Sequence, residues 1–188
     1  PYLVMEMLEG PSLRQALVGR PFEVKRACRI ANQVAAGLSA LHAQGIVHRD
    51  IKPRNLLLDS RGGELVKIID LGLAKRPVVA LDLMVSMQGV ILGTPDYMGP
   101  EQRRGEDVDP RTDQYALGCV FFEMLTGKAV ADYPSEEPAR PGAPQLGELS
   151  RHDLPKGLSQ IVQRMLAEDP KNRYQMMSQV ENALRPFV

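Results

Sequence analysis

Between Asp113 and Thr126 the chain places Tyr115, Ala116, Leu117, Cys119, Val120, Phe121, Phe122, Met124 and Leu125. A helix of these residues is apolar nearly all round, and such a helix is stable only when protein surrounds it on every side. The rest of the chain must therefore wrap around residues 113–126, which Gly127 terminates. A second helix, Phe22 to Gln44, carries a single stripe instead: Val24, Ala27, Cys28, Ala31, Val34, Ala35, Leu38 and Leu41 recur at three- and four-residue steps. Pro21 supports its start and Gly45 its end. Two shorter amphipathic helices are expected at Leu158 to Ala167 and Met176 to Leu184. Ser12-Leu13-Arg14-Gln15 fits the capping box of a further short helix ending near Gly19.

Strand signals are few. Tyr2 to Met5 is an apolar, β-prone run with nothing nearby to pair with it. Leu56 to Asp59 and Leu65 to Ile69 flank Ser60-Arg61-Gly62-Gly63 and read as a hairpin. Its two ends carry Asn55 and Asp70. Residues 71–111 are expected to be mostly ordered loop, and residues 128–157, rich in proline and glycine, a long one. The fold class is mainly α with a small β-hairpin.

Lys+Arg and Asp+Glu both total 23 among 188 residues, so no excess positive field exists to hold a polyphosphate. Nucleic acid is therefore disfavoured as a partner. Cys28 and Cys119 lack the spacing of a metal site or a disulfide framework. No stretch is apolar for long enough to span a bilayer, and no signal peptide opens the chain. A cytoplasmic polypeptide with buried free thiols is expected.

The chemistry concentrates in His48-Arg49-Asp50-Ile51-Lys52-Pro53-Arg54-Asn55. A carboxylate, an ammonium and a carboxamide on one short loop can serve phosphoryl transfer, which asks a protein mainly for positioning and charge neutralisation. Asp50 can accept or orient the proton of an attacking hydroxyl, and Lys52 can reach the transferring phosphate. Asn55 and Asp70 offer hard oxygen ligands to Mg²⁺. Each residue alone would read as a polar group on a turn; the spaced set does not.

This loop matches H-R-D-x-x-x-x-N, and the chain resembles the eukaryotic-type serine/threonine protein kinases, bacterial members included, almost from end to end. Asp70-Leu71-Gly72 resembles the family's D-F-G element. Gly93-Thr94-Pro95-Asp96-Tyr97-Met98-Gly99-Pro100-Glu101 resembles the end of an activation segment, with Gly99 a small-for-small replacement of alanine. Lys52 and Gly93-Thr94-Pro95 look like serine/threonine rather than tyrosine kinases. Pro100-Glu101-Gln102 is similar to bacterial members. The resemblance implies ATP and Mg²⁺ as cofactors and a protein bearing a Ser/Thr acceptor as substrate. It implies a Glu101–Arg173 ion pair, backbone hydrogen bonds from the His48-Arg49 turn to Asp113, and Thr94 close to Asp50 and Lys52. The Glu6 carbonyl and Leu8 amide would meet the adenine edge as a hinge, with Ser12 near the ribose and Leu57 as the adenine floor. Arg49 often accompanies activation by loop phosphorylation. Ser86, the only hydroxyl between Gly72 and Gly93, is either that regulatory site or an unmodified loop serine.

By the same resemblance, residues 1–8 would be the last strand and hinge of a smaller lobe, and residues 9–188 the larger, helical lobe, with its activation segment at 70–101. The helix that relatives place within 128–150 looks eroded. No G-x-G occurs in the chain and its first lysine is Lys25, so the glycine-rich loop, strand lysine and helix glutamate of a kinase are not among these residues. Three readings follow. The chain is a partial kinase completed by a small lobe in cis or in trans, a non-catalytic kinase-like binding module, or a residual fragment. The isolated polypeptide is expected to self-associate through its unpaired strand.

Overall fold

A computed structural model of the chain describes residues 6–61, 63–70, 95–130 and 154–188. Six α-helices and two strands are described: α1 Leu13–Ala16, α2 Val24–His42, β1 Leu56–Asp59, β2 Leu65–Ile68, α3 Pro100–Arg103, α4 Pro110–Thr126, α5 Leu158–Met165 and α6 Met177–Leu184. Short 3-10 turns sit at Pro53–Asn55, Pro95–Tyr97, Pro170–Asn172 and Arg185–Phe187. The expected strand at Tyr2 to Met5, Thr94 and Ser86 lie outside the described residues, as does most of the loop at 128–157.

Helix α4 is the axis of the molecule. Every residue from Thr112 to Leu125 is buried, and α2, α5 and α6 all pack on it. It begins earlier than the apolar run indicates, because Asp109 caps it with a 2.8 Å hydrogen bond from the Arg111 amide and Pro110 occupies its first turn. Asp113 thus lies inside the first turn rather than opening the helix. Gly127 ends α4 at φ 75°, donating its amide to Glu123 at 2.8 Å. The polar groups buried on α4 all have partners. Thr112 donates to Glu101, Gln114 exchanges two bonds with the Tyr174 backbone, and Glu123 accepts from Tyr97 Oη at 2.6 Å and from Arg14 at 2.9 Å.

Helix α2 buries the expected stripe from Val24 to Leu38, with Ile30 added and Leu41 only half-buried, against α6 and α4. Its polar side docks the hairpin. Gln33 donates to the Glu64 carbonyl at 3.0 Å and accepts from the Val66 amide at 2.9 Å, while Arg26 grips the Glu64 carboxylate. The hairpin is antiparallel with Leu56 opposite Ile68 and Asp59 opposite Leu65.

Three expectations are corrected or completed by the structure. Helix α1 has its capping box but stops at Ala16, three residues short of Gly19. Of the stretch 71–111, expected to be mostly ordered loop, residues 71–94 lie outside the described residues, and the described part holds α3 and the start of α4. The four residues of α3 are too few to show a hydrophobic period, and tertiary bonds hold them. Finally, the hairpin has a third neighbour. Leu58 donates to Pro11 O at 2.9 Å, Ser60 to Glu9 O at 3.4 Å, and Ser12 bridges Leu57.

That third stretch depends on Gly10. Its φ is 149°, and a Cβ there would lie 1.9 Å from the Leu58 carbonyl oxygen. Gly10→Ala is expected to unzip residues 9–12 from β1 at a cost of about 2–4 kcal/mol, from backbone strain and lost hydrogen bonds together. Urea unfolding of the full-length protein checks this; an unchanged midpoint would contradict the packing described.

Candidate functional site

The loop from His48 to Asn55 is fixed at both ends by apolar burial, Ile51 on one side of Lys52 and Pro53 with Leu56 on the other. Its turn hangs on one carboxylate. Asp113, fully buried, accepts the His48 amide at 2.8 Å and the Arg49 amide at 2.7 Å. His42 Nε2, from the end of α2, holds the same carboxylate at 2.8 Å. His42 escaped the sequence reading. Its place near the end of a helix does not single it out, and only its partner on α4 gives it meaning.

Arg49 adopts φ 67° and so does Asp70, the only non-glycine residues among those described with left-handed backbone. Such conformations cost about 1–3 kcal/mol each and persist only where surroundings over-determine them. The His48 ring supplies part of that determination. Its Nδ1 accepts the Asp50 amide at 3.3 Å, which leaves Nε2–H to donate to the Ile69 carbonyl at 3.2 Å. This neutral tautomer ties the backbone of Asp50 to the residue preceding Asp70.

The Asp50 carboxylate is gripped from two directions. Lys52 Nζ lies 2.9 Å from Oδ1 and 2.8 Å from Oδ2, and Asn55 Nδ2 donates to Oδ2 at 2.9 Å and to the Asp50 carbonyl at 2.8 Å. Among the described residues Oδ2 therefore carries two donors and Oδ1 only Lys52, which leaves Oδ1 a lone pair for an incoming hydroxyl. With its amide nitrogen engaged, Asn55 has its oxygen left to offer a cation. Asn55 O also accepts the Ile69 amide at 2.9 Å, which draws Asp70 to the same end of the hairpin. Two oxygen donors, one of them anionic, fit Mg²⁺, which keeps water and takes phosphate oxygens rather than needing an all-protein cage. Among the described residues no group of three or more His, Cys, Asp and Glu side chains is arranged around a metal position.

The other expected residues fall as follows. Leu57 is half-buried on β1 opposite Lys67, and Lys67 Nζ reaches the Glu6 carboxylate at 2.9 Å. Glu6 is exposed and Leu8 half-buried. Ser12 Oγ is occupied in the α1 cap, accepting the Gln15 amide at 3.3 Å. Beside Lys52 opens a cleft of about 310 Å³ whose lining includes Arg14, Arg54, Asp96, Tyr97 and Glu123. Burial and the Glu123 carboxylate push the Tyr97 phenol far above its usual range, so it acts there as a hydrogen-bond donor.

Below the loop, Arg173 is fully buried and uses all its N–H groups. It grips Glu101 through two 2.8 Å bonds and reaches the carbonyls of Ala167, Glu168 and Arg111 at 2.7, 3.0 and 2.8 Å. Burial alone would raise the Glu101 carboxyl, but Arg173 and Thr112 hold it below the usual carboxylate value. Gly99 is more than a small-for-small replacement. A Cβ there would lie 2.6 Å from Glu101 Oε1, so the glycine is fitted to the pair. One further residue went unassigned in the sequence: Gln102 Nε2 donates to the Arg49 carbonyl at 2.9 Å.

The protein kinase domain family matches residues 1–184. The chain belongs to the protein kinase family. This kinase-family chain is 37% identical over 193 residues to the serine/threonine-protein kinase Pkn1 of Myxococcus xanthus, covering 98% of the chain and 27% of that protein. It is 35% identical to the serine/threonine-protein kinase PknB of Mycobacterium tuberculosis, covering 96% of the chain and 29% of that protein. By family it falls among the serine/threonine-protein kinases of the eukaryotic type found in bacteria. The crystal structure of the Mycobacterium tuberculosis PknI kinase domain superposes with a TM-score of 0.72 at 26% identity, covering 98% of this chain and 65% of that one. The chain thus spans less than a third of the length of these curated relatives, and under two thirds of that solved kinase domain. No helix among the described residues is long and apolar enough to cross a membrane.

Proposed function

We propose that residues 9–188 form the larger, helical lobe of a serine/threonine protein kinase, with residues 1–8 as last strand and hinge of the smaller lobe. Completed by that lobe, in cis or in trans, it moves the γ-phosphoryl group of ATP to a protein serine or threonine hydroxyl. The observation that carries this reading is the Asp50 carboxylate, clamped by Lys52 and Asn55, with Oδ1 taking Lys52 alone among the described residues. In the transfer, the substrate oxygen bonds to the γ-phosphorus as the bridge to the β-phosphate breaks and ADP departs. Asp50 orients the hydroxyl and takes its proton. Lys52 is near enough to Asp50 to meet the developing charge on the phosphoryl oxygens. Asn55 and Asp70 would hold Mg²⁺, which supplies charge neutralisation across the phosphates.

The half-buried Leu57 would carry the adenine, and the backbone of Glu6 and Leu8 would meet its edge. The cleft beside Lys52 is open and of mixed charge, a surface suited to an extended polypeptide rather than to a small apolar ligand. The buried free thiols Cys28 and Cys119 fit a reducing, cytoplasmic setting.

The test is phosphotransfer by the full-length protein from labelled ATP to a serine- or threonine-bearing protein. Transfer that stops on chelation of Mg²⁺ and returns on its addition is the expected result. Tight binding of Mg²⁺-ATP with no transfer to any tested substrate would favour the binding-module reading instead.

A further inference from the structure

We propose that Gln102 is a positioning residue for phosphoryl transfer, acting through the peptide group that joins Arg49 to Asp50. The inference rests on the assignment of Asp50 made above. A peptide unit is planar, so fixing its carbonyl also fixes its N–H and the Cα on either side. The Arg49–Asp50 unit is held at both edges. Gln102 Nε2 donates to the Arg49 carbonyl at 2.9 Å, and the His48 ring accepts the Asp50 amide at 3.3 Å. The ring contact is the longer of the two, which leaves the shorter Gln102 bond as the firmer stop against rotation. Arg49 itself is left-handed at φ 67°, a conformation an arginine does not keep unaided. Asp113 holds its amide and Gln102 its carbonyl.

Gln102 is well placed for this. It sits on α3 directly after Glu101, and the Arg173 bonds to Glu101 fix the helix from below. A side chain on so anchored a turn loses little further freedom in making its bond. The arrangement carries the seating of the segment ending at α3 to the residue that meets the hydroxyl. When α3 is in place, the peptide before Asp50 is locked; when α3 is displaced, a left-handed arginine loses its carbonyl partner. Sequence reading could take the glutamine only as a mark of lineage, because its partner lies on a distant loop.

The experiment compares Gln102→Leu and Gln102→Glu with the wild-type full-length protein. Leucine fills the space but cannot donate, and losing one such bond at a strained residue corresponds to about a tenfold fall in kcat. The KM for ATP and for peptide, and the melting temperature, are expected to stay near wild type. Glutamate regains a donor only when protonated, so its kcat relative to wild type should climb as pH falls. Amide exchange at Arg49 and Asp50 should quicken in the leucine variant, whether or not the protein is active. A kcat within twofold of wild type, or a loss that tracks the melting temperature and both KM values, would overturn the proposal. If the wild type transfers no phosphate, the reading under Proposed function fails and exchange alone decides: unchanged exchange rates then overturn this inference as well.

Discussion

Asparagine in place of Asp50 is expected to lower kcat by about 10²–10⁴-fold, the usual contribution of a positioned proton acceptor. The substitution keeps the shape of the side chain and changes two things. The group can no longer take a proton, and with its oxygen kept in the Oδ2 place for Lys52 and Asn55 it puts an NH₂ where Oδ1 stood. Lys52 then loses its contact to the Oδ1 place and keeps the one to the Oδ2 place. Nucleotide affinity should change little, because the proposed metal oxygens of Asn55 and Asp70 are untouched. Initial-rate kinetics with calorimetric titration of Mg²⁺-ATP separate the two effects. A kcat within tenfold of wild type would mean that the proton leaves by another route.

Replacing Arg173 with methionine should cost about 3–5 kcal/mol, the range for removing one partner of a buried ion pair. The figure belongs at the upper end of single substitutions because the guanidinium serves more than Glu101. Its loss also leaves the carbonyls of Ala167, Glu168 and Arg111 without these donors, and the Glu101 carboxylate buried without its counter-charge. Replacing Glu101 with methionine as well should recover part of the loss, since a buried pair exchanged for apolar groups is often near neutral. The sign of the pH dependence follows from the lowered folded value of Glu101. The contribution of the pair is complete above about pH 4.5, the ordinary value for this group, and is lost as pH falls toward the lowered one. Denaturant unfolding from pH 7 down to pH 3 should therefore show a steeper acid limb in the wild type than in the single variant. Equal limbs would mean that Arg173 does not hold the Glu101 carboxyl down.

Residues 113–126 announced their place because burial on all sides leaves no polar face, a property that composition alone reveals. The hairpin was legible from Ser60-Arg61-Gly62-Gly63, and α2 from its stripe. What stayed hidden depended on partners far along the chain. Glu9-Gly10-Pro11-Ser12 reads as a chain breaker, and only the approach of β1 turns it into a paired edge. Helix α3 is too short for a period and is held by an arginine 72 positions beyond Glu101. At the site, Asp50, Lys52 and Asn55 stand close in sequence and could be read together. His42 and Gln102 could not, since each acts on a group that spacing does not point to.

The Asp113 carboxylate lets one side chain on the innermost helix hold the turn that precedes Asp50. That turn is thereby tied to a helix whose residues from Thr112 to Leu125 are all buried. The chemistry and the core should therefore fail at the same temperature, as a single event rather than in sequence.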